Sequence, residues 1–191
     1  MRNNINKESK VDLGAFNASA GLDRGASRFK EILWYCVKVL FFLSSIPFPN
    51  GFKRKILIWF GAKIGRGLVI KPRVNIHFPW KMVAGQNLWL GEEVFILNFE
   101  GVSIGDNVCI SQRSFLCGGN HNYREFNMPY KNGPIVLDSG CWVGASCFVG
   151  PNVEIATDTI IAAGSVITKS TEGNSIYRGN PAVRVSTRWK D

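Results

Sequence analysis

The chain has 191 residues, 46% hydrophobic and 19% charged, enough apolar material for one folded domain and too much for a disordered chain. Its net charge of +9 sits at the ends: residues 1–60 carry +6, residues 61–167 are neutral and residues 168–191 carry +3. A neutral body with two basic ends argues against a nucleic-acid reader, which concentrates charge on its reading surface. It suits a phosphate-bearing ligand at one end and an anionic partner or membrane surface at the other.

The start, MRNNINKESKVDLG, lacks the apolar segment of a secretory leader. The five cysteines, Cys36, Cys109, Cys117, Cys141 and Cys147, are odd in number and form no C-x-x-C pair. Both features point to a cytoplasmic protein with reduced thiols and no cysteine zinc site. Residues 1–28 read as a polar N-terminal arm, mobile or loosely docked. Residues 29–48 are the most apolar stretch, closed by Pro47 and Pro49, which predicts a helix from Phe29 to about Ser45. Lys38 in mid-run and the short length speak against a membrane span of about 20 apolar residues. A second helix is expected from Gly51 to Phe60, where Lys53, Arg54 and Lys55 adjoin Ile56, Leu57, Ile58, Trp59 and Phe60. This helical segment, 29–60, either packs on the main body or touches the inner membrane face as a monotopic element.

From Ile64 onward aliphatic side chains recur every six residues: Ile64, Ile70 and Ile76; Leu90 and Ile96; Ile104, Ile110 and Leu116; then Leu137, Val143, Val149, Ile155, Ile161 and Ile167. Four residues after the aliphatic stands a small or β-branched residue: Val108, Ser114, Cys141, Cys147, Val153, Thr159, Ser165 or Thr171. One residue after it, Gly65, Gly91, Gly105, Gly144 and Gly150 recur, with Ala156 and Ala162 in the same place. A helical period of 3.6 cannot produce this column. Each hexad reads as a short strand and a tight corner, and three make a triangular coil of about 18 residues stacked roughly 4.8 Å from the next. The fold class is therefore mainly β, a solenoid over 61–176, with a loop at 122–133 and a basic C-terminal tail at 177–191.

The segments ILIWFGAKIG (56–65), PWKMVAGQNLWLGE (79–92), SIGDNVCISQ (103–112), GGNHNY (118–123), CWVGASCFVGPNVEI (141–155), AAGSVITK (162–169) and YRGNPAVRV (177–185) resemble the hexapeptide-repeat acyltransferases. The likeness spans about residues 30–186 and is strongest to acetyltransferases of the colanic acid and exopolysaccharide type. It implies a left-handed parallel β-helix; parallel crossovers are ordinarily right-handed, so the repeat alone does not give the hand. It also implies acetyl-CoA as donor, a sugar or glycan acceptor, free or lipid-linked, and a homotrimer.

Acetyl transfer to a hydroxyl needs a base for the hydroxyl proton, and imidazole titrates near neutrality. His121 follows Gly118, Gly119 and Asn120 at the root of the loop, and the resemblance assigns it the role of catalytic base. The other histidine, His77, lies outside that motif. Two histidines are too few for the three-histidine zinc site of the carbonic anhydrases that share the prism, so no metal is expected. The resemblance further places the thioester beside Trp142, Gly144 and Ala145, with a backbone donor at Ala145 or its neighbour. It lays pantetheine against Ala163 and Thr168, and gives CoA phosphates to Lys169 and Arg184. Asn98 and Glu100, in the eight-residue step from Ile96 to Ile104, are candidates for holding the acceptor. Competing readings are acetylation of serine or of an amino-sugar nitrogen, and a non-catalytic scaffold.

Overall fold

The computed structural model describes residues 9–190. Two helices come first, α1 (Arg28–Phe41) and α2 (Asn50–Trp59). The Ser27 hydroxyl caps α1 by accepting from the Lys30 N–H at 3.3 Å. The helix stops at Phe41 rather than near Ser45, because Ser44 and Ser45 favour turns and Pro47 disfavours helical backbone at the residue before it.

The prism has three sides of short parallel strands. Side A holds Lys63–Ile64, Met82–Ala84, Val102–Ile104, Ile135–Leu137 and Val153–Ile155. Side B holds Val69–Ile70, Trp89–Leu90, Cys109–Ile110, Trp142–Val143 and Ile160–Ile161. Side C holds Asn75–Ile76, Phe95–Leu97, Phe115–Cys117, Phe148–Val149 and Val166–Ile167. Every aliphatic of the column points inward, none more than 7% exposed. The gap between Ile76 and Leu90 is filled by Ala84, at 5% exposure, so the coils are complete. Phe42, Leu57 and Phe60 join the same core from the helices, which close its first coil.

The glycine after the aliphatic serves stacking rather than turning. A Cβ on Gly144 would stand 2.6 Å from the Ala163 nitrogen, and one on Gly105 2.5 Å from the Ser139 nitrogen. The left-handed corner lies two residues further on, at Asn107, Arg113, Ser146, Asn152 and Asp158, all with φ between 56° and 61°.

The chain beyond Ile167 is not a simple tail. Ser175–Gly179 pairs in parallel with Ile160–Ile161 and then forms an antiparallel hairpin with Ala182–Thr187. The loop also begins earlier than residue 122: the Gly133 N–H donates to the Gly118 carbonyl at 2.9 Å, closing an antiparallel ribbon. Nor is the described part of the arm loose. The Asp12 N–H donates to the Phe126 carbonyl at 2.9 Å, and the Trp80 indole N–H to the Arg24 carbonyl at 2.7 Å. No helix among the described residues is long and apolar enough to cross a membrane.

Candidate active site

His121 sits where the ribbon leaves the edge between sides C and A. It bridges Tyr130 in the antiparallel sense, flanked by the Asn122 N–H to Pro129 carbonyl bond and the Lys131 N–H to Asn120 carbonyl bond, each 2.8 Å. Its Nδ1 lies 2.6 Å from the Met128 carbonyl oxygen. A carbonyl can only accept, so Nδ1 carries the proton and Nε2 of the neutral ring keeps its lone pair. The ring stacks on Tyr130 at 5.2 Å and meets the edge of Phe16 at 5.4 Å. The imidazole is therefore oriented by a hydrogen bond and two aromatic neighbours, one of them from the arm.

A groove of about 340 Å³ runs down the edge between sides B and C, lined by Ser111, Gln112, Trp142, Gly144, Ala145, Ile160, Ile161, Ala162 and Ala163. Among the described residues the N–H groups of Gln112, Ala145 and Ala163 donate to no protein atom. The second column of the repeat explains why two of them face outward. The buried Ser114 hydroxyl donates to the Gly144 carbonyl at 2.7 Å, and the Cys147 thiol donates to the Ala162 carbonyl at 3.1 Å. A trans peptide holds its N–H opposite its C=O. Drawing these carbonyls inward turns the N–H groups of Ala145 and Ala163 toward the groove. Ser114→Ala should leave the Gly144 carbonyl without this partner and cost about 1–3 kcal/mol, read as a lower midpoint in denaturant.

Four of the expected site residues thus share one groove: Trp142, Gly144, Ala145 and Ala163. Trp142 is 47% exposed, and its indole N–H donates to the Ser111 hydroxyl at 2.9 Å. Gly144 lines the groove and packs closely on the next coil. Ser111 and Gln112 were missed, although counting back one coil from Gly144 and Ala145 reaches them. Ser114 and Cys147 were read only as small residues, since their carbonyl partners lie on other coils.

The remaining candidates lie elsewhere. Thr168 and Lys169 are exposed on the C–A edge, the edge that carries His121. Arg184 is exposed on the C-terminal hairpin, with Nε donating to the Ser175 hydroxyl at 2.8 Å and lying 3.5 Å from Glu172. Asn98 is 1% exposed, and its amide is spent on one residue: Oδ1 accepts from the Phe78 N–H at 2.9 Å and Nδ2 donates to the Phe78 carbonyl at 2.7 Å. It staples two stacked corners and is no acceptor ligand. Glu100 is exposed beside a separate cavity with Lys63, Trp80 and Lys81. Among the described residues no cluster of His, Cys, Asp and Glu is arranged to hold a metal.

The stacked three-sided coils with a tethered loop imidazole and a small-residue groove define a hexapeptide-repeat acyltransferase. Residues 134–169 match the family model described as bacterial transferase hexapeptide (six repeats). The chain is 36% identical over 177 residues to the colanic acid biosynthesis acetyltransferase WcaF of Escherichia coli (strain K12), covering 93% of this chain and 97% of that one. It is 29% identical over 126 residues to the galactoside O-acetyltransferase of the same organism, spanning 63% and 61% of the two chains. In fold it is similar to a hexapeptide-repeat acetyltransferase of Vibrio cholerae complexed with acetyl-coenzyme A, with a TM-score of 0.77, 18% identity and 87% and 92% of the chains covered. The chain belongs to the hexapeptide-repeat acyltransferase family, and its fold is the left-handed parallel β-helix of that family.

Proposed function

We propose that the chain moves an acetyl group from acetyl-CoA to a hydroxyl of a sugar or glycan in polysaccharide biosynthesis, with His121 as general base. The observation that carries this reading is the Nδ1 contact of His121 with the Met128 carbonyl at 2.6 Å, which leaves Nε2 as the acceptor for a hydroxyl proton. The thioester supplies an activated acetyl carbon. As the hydroxyl oxygen attacks it, Nε2 takes the proton, and the developing oxyanion accepts from the outward N–H of Ala145. The proton then passes from the imidazolium to the departing CoA sulfur. The small side chains of Ala145, Ala162 and Ala163 leave room for pantetheine, whose amides suit the free N–H of Ala163. The donor and the sugar acceptor are further supported by what the similar proteins are named for: an acetyltransferase of colanic acid biosynthesis, a galactoside O-acetyltransferase, and a complex with acetyl-coenzyme A.

The base and the groove lie on different edges of one prism, so we propose that each site joins two copies in a homotrimer. The outward side chains favour this. Side B presents Trp89, Cys109, Trp142 and Ile160, and side C presents Phe95, Phe115 and Phe148, with Phe95 and Phe115 stacked at 4.7 Å. Side A presents Lys63, Val83, Ser103, Val136 and Glu154, and so carries the charged residues of the three outer faces. The aromatic sides B and C suit a ring in which side C of one copy meets side B of the next. Lys169, on the His121 edge, is then placed to meet a CoA phosphate held by the neighbour.

The test is release of free thiol from acetyl-CoA with a panel of sugars and glycans, serine and amino sugars. Sugar-dependent release supports the proposal. Release with serine alone, or with an amino group as the only acceptor, replaces the acceptor assignment, and no release with any acceptor favours a scaffold. Ala163→Trp should fill the groove and raise the KM for acetyl-CoA by at least ~10-fold, a loss of about 1.4 kcal/mol in binding. The melting temperature should be unchanged.

A further inference from the structure

Lys38 stands in the middle of α1 and is 7% exposed, yet among the described residues it has no ion-pair or hydrogen-bond partner. It lines a cavity of about 230 Å³ together with Arg24, Tyr35, His77, Phe78 and Trp80. Glu31 also lines the cavity, but its carboxylate is taken by Arg24, whose Nε and Nη2 donate to it at 2.7 and 2.6 Å. Burial lowers the Lys38 pKa and takes His77 down to about 4, with Lys38 and Arg24 adding to the effect on the imidazole. The cavity therefore holds one ammonium that nothing neutralises, walled by aromatic rings. An unpaired buried charge is costly, and an entering anion would relieve it.

The mouth of the cavity indicates what carries that anion. Ile32 and Tyr35 line it and also belong to an outward stripe on α1: Phe29 at 76% exposure, Ile32 at 64%, Tyr35 at 63%, Val39 at 42% and Leu40 at 61%. Ile46, after the helix, and Trp59, at the end of α2, are also exposed, at 59% and 72%. Exposed Arg28 opens the same helix immediately before Phe29, and the first 60 residues carry +6. An apolar helical face bordered by basic residues is the pattern of an element lying in the interface of an anionic bilayer. A water-soluble phosphate compound would have no use for the stripe. We infer that α1 lies on an anionic membrane with its apolar stripe among the acyl chains, and that the Lys38 cavity receives the phosphate of a lipid headgroup. This inference stands apart from the acetyl-transfer reading, because it needs neither the groove nor His121.

The experiment sediments the full chain with vesicles of phosphatidylcholine alone and of phosphatidylcholine with phosphatidylglycerol. The wild type should bind the anionic vesicles at least ~10-fold better than the neutral ones. The double variant Ile32→Glu/Leu40→Glu should lose binding to both. Lys38→Met, which keeps the length of the side chain without its charge, should lower the preference for anionic vesicles by about 5-fold, a contribution typical of one basic residue at such a surface. Should Lys38→Met fold poorly, Lys38→Arg, which keeps the charge, should retain that preference. Absence of binding to either vesicle overturns the inference, as does unchanged preference in Lys38→Met or a lost one in Lys38→Arg. Inorganic phosphate that raises the melting temperature through Lys38, without vesicle binding, would show a soluble ligand instead. A smaller oligomer from the double variant, with no vesicle binding by the wild type, would assign the stripe to a second copy.

Discussion

Replacing His121 with alanine should lower turnover of acetyl-CoA by about 10²–10⁴-fold, the range of positioned base catalysis, with little change in melting temperature. The ring is only partly buried and rests on the surface ribbon, where its loss removes one bond to the Met128 carbonyl and contacts with Phe16 and Tyr130. No coil of the prism depends on it. His121→Gln preserves a hydrogen bond to Met128 but supplies no basic nitrogen, and should be impaired to a similar extent. The KM for acetyl-CoA should stay near the wild-type value in both, because the donor groove lies on another edge. Activity surviving in either variant would move the base elsewhere.

The second large effect is on stability. Leu116 is fully buried in the third coil, immediately before the ribbon that carries His121. Leu116→Ala should cost about 2–5 kcal/mol, the lost transfer energy plus a cavity that a rigid stack of coils closes poorly. For a chain of this size that corresponds to a fall of roughly 4–20 °C in melting temperature. The exposed Val83, on the outer face of side A, offers the contrast: Val83→Ala should change stability by under about 0.5 kcal/mol. Equal losses at the two positions would mean that the column is not the core.

Much of the prism could be read from residues alone, because a side chain buried every six residues is a local and repeated constraint. The column failed only at Ala84, where the coil is narrow enough for a methyl group, and an alanine does not announce itself as core. The repeat shows the glycines but not their use: at Gly105 and Gly144 a Cβ would collide with the next coil, and the left-handed position two residues on falls on Asn, Asp, Arg, Glu, Ser or Gly. Trp142, Ala145 and Ala163 came from the family resemblance, and the repeat shows only that Ala145 and Ala163 hold equivalent places, two residues after Val143 and Ile161. The bonds of Asn98 were hidden because its partner, the Phe78 backbone, lies one coil earlier, and those of Arg184 because the hairpin that brings it to the Ser175 hydroxyl was not foreseen. The tether of His121 was hidden for the same reason. Met128 is seven residues away across a ribbon, and Phe16 arrives from an arm that composition alone describes as polar and loose.

Mixing two impaired proteins tests most directly whether the base of one copy serves the groove of another. His121→Ala keeps the groove and Ala163→Trp keeps the imidazole, and at acetyl-CoA well below the wild-type KM each alone should give about a tenth of wild-type activity or less. When equal amounts are unfolded together and reassembled, about one quarter of the sites should combine a working base with a working groove across a heterologous ring interface. The mixture should then recover roughly that share of wild-type activity. Mixed trimers that form, as seen by mass, but remain as impaired as the two proteins alone would contradict the shared site and return base and groove to a single chain.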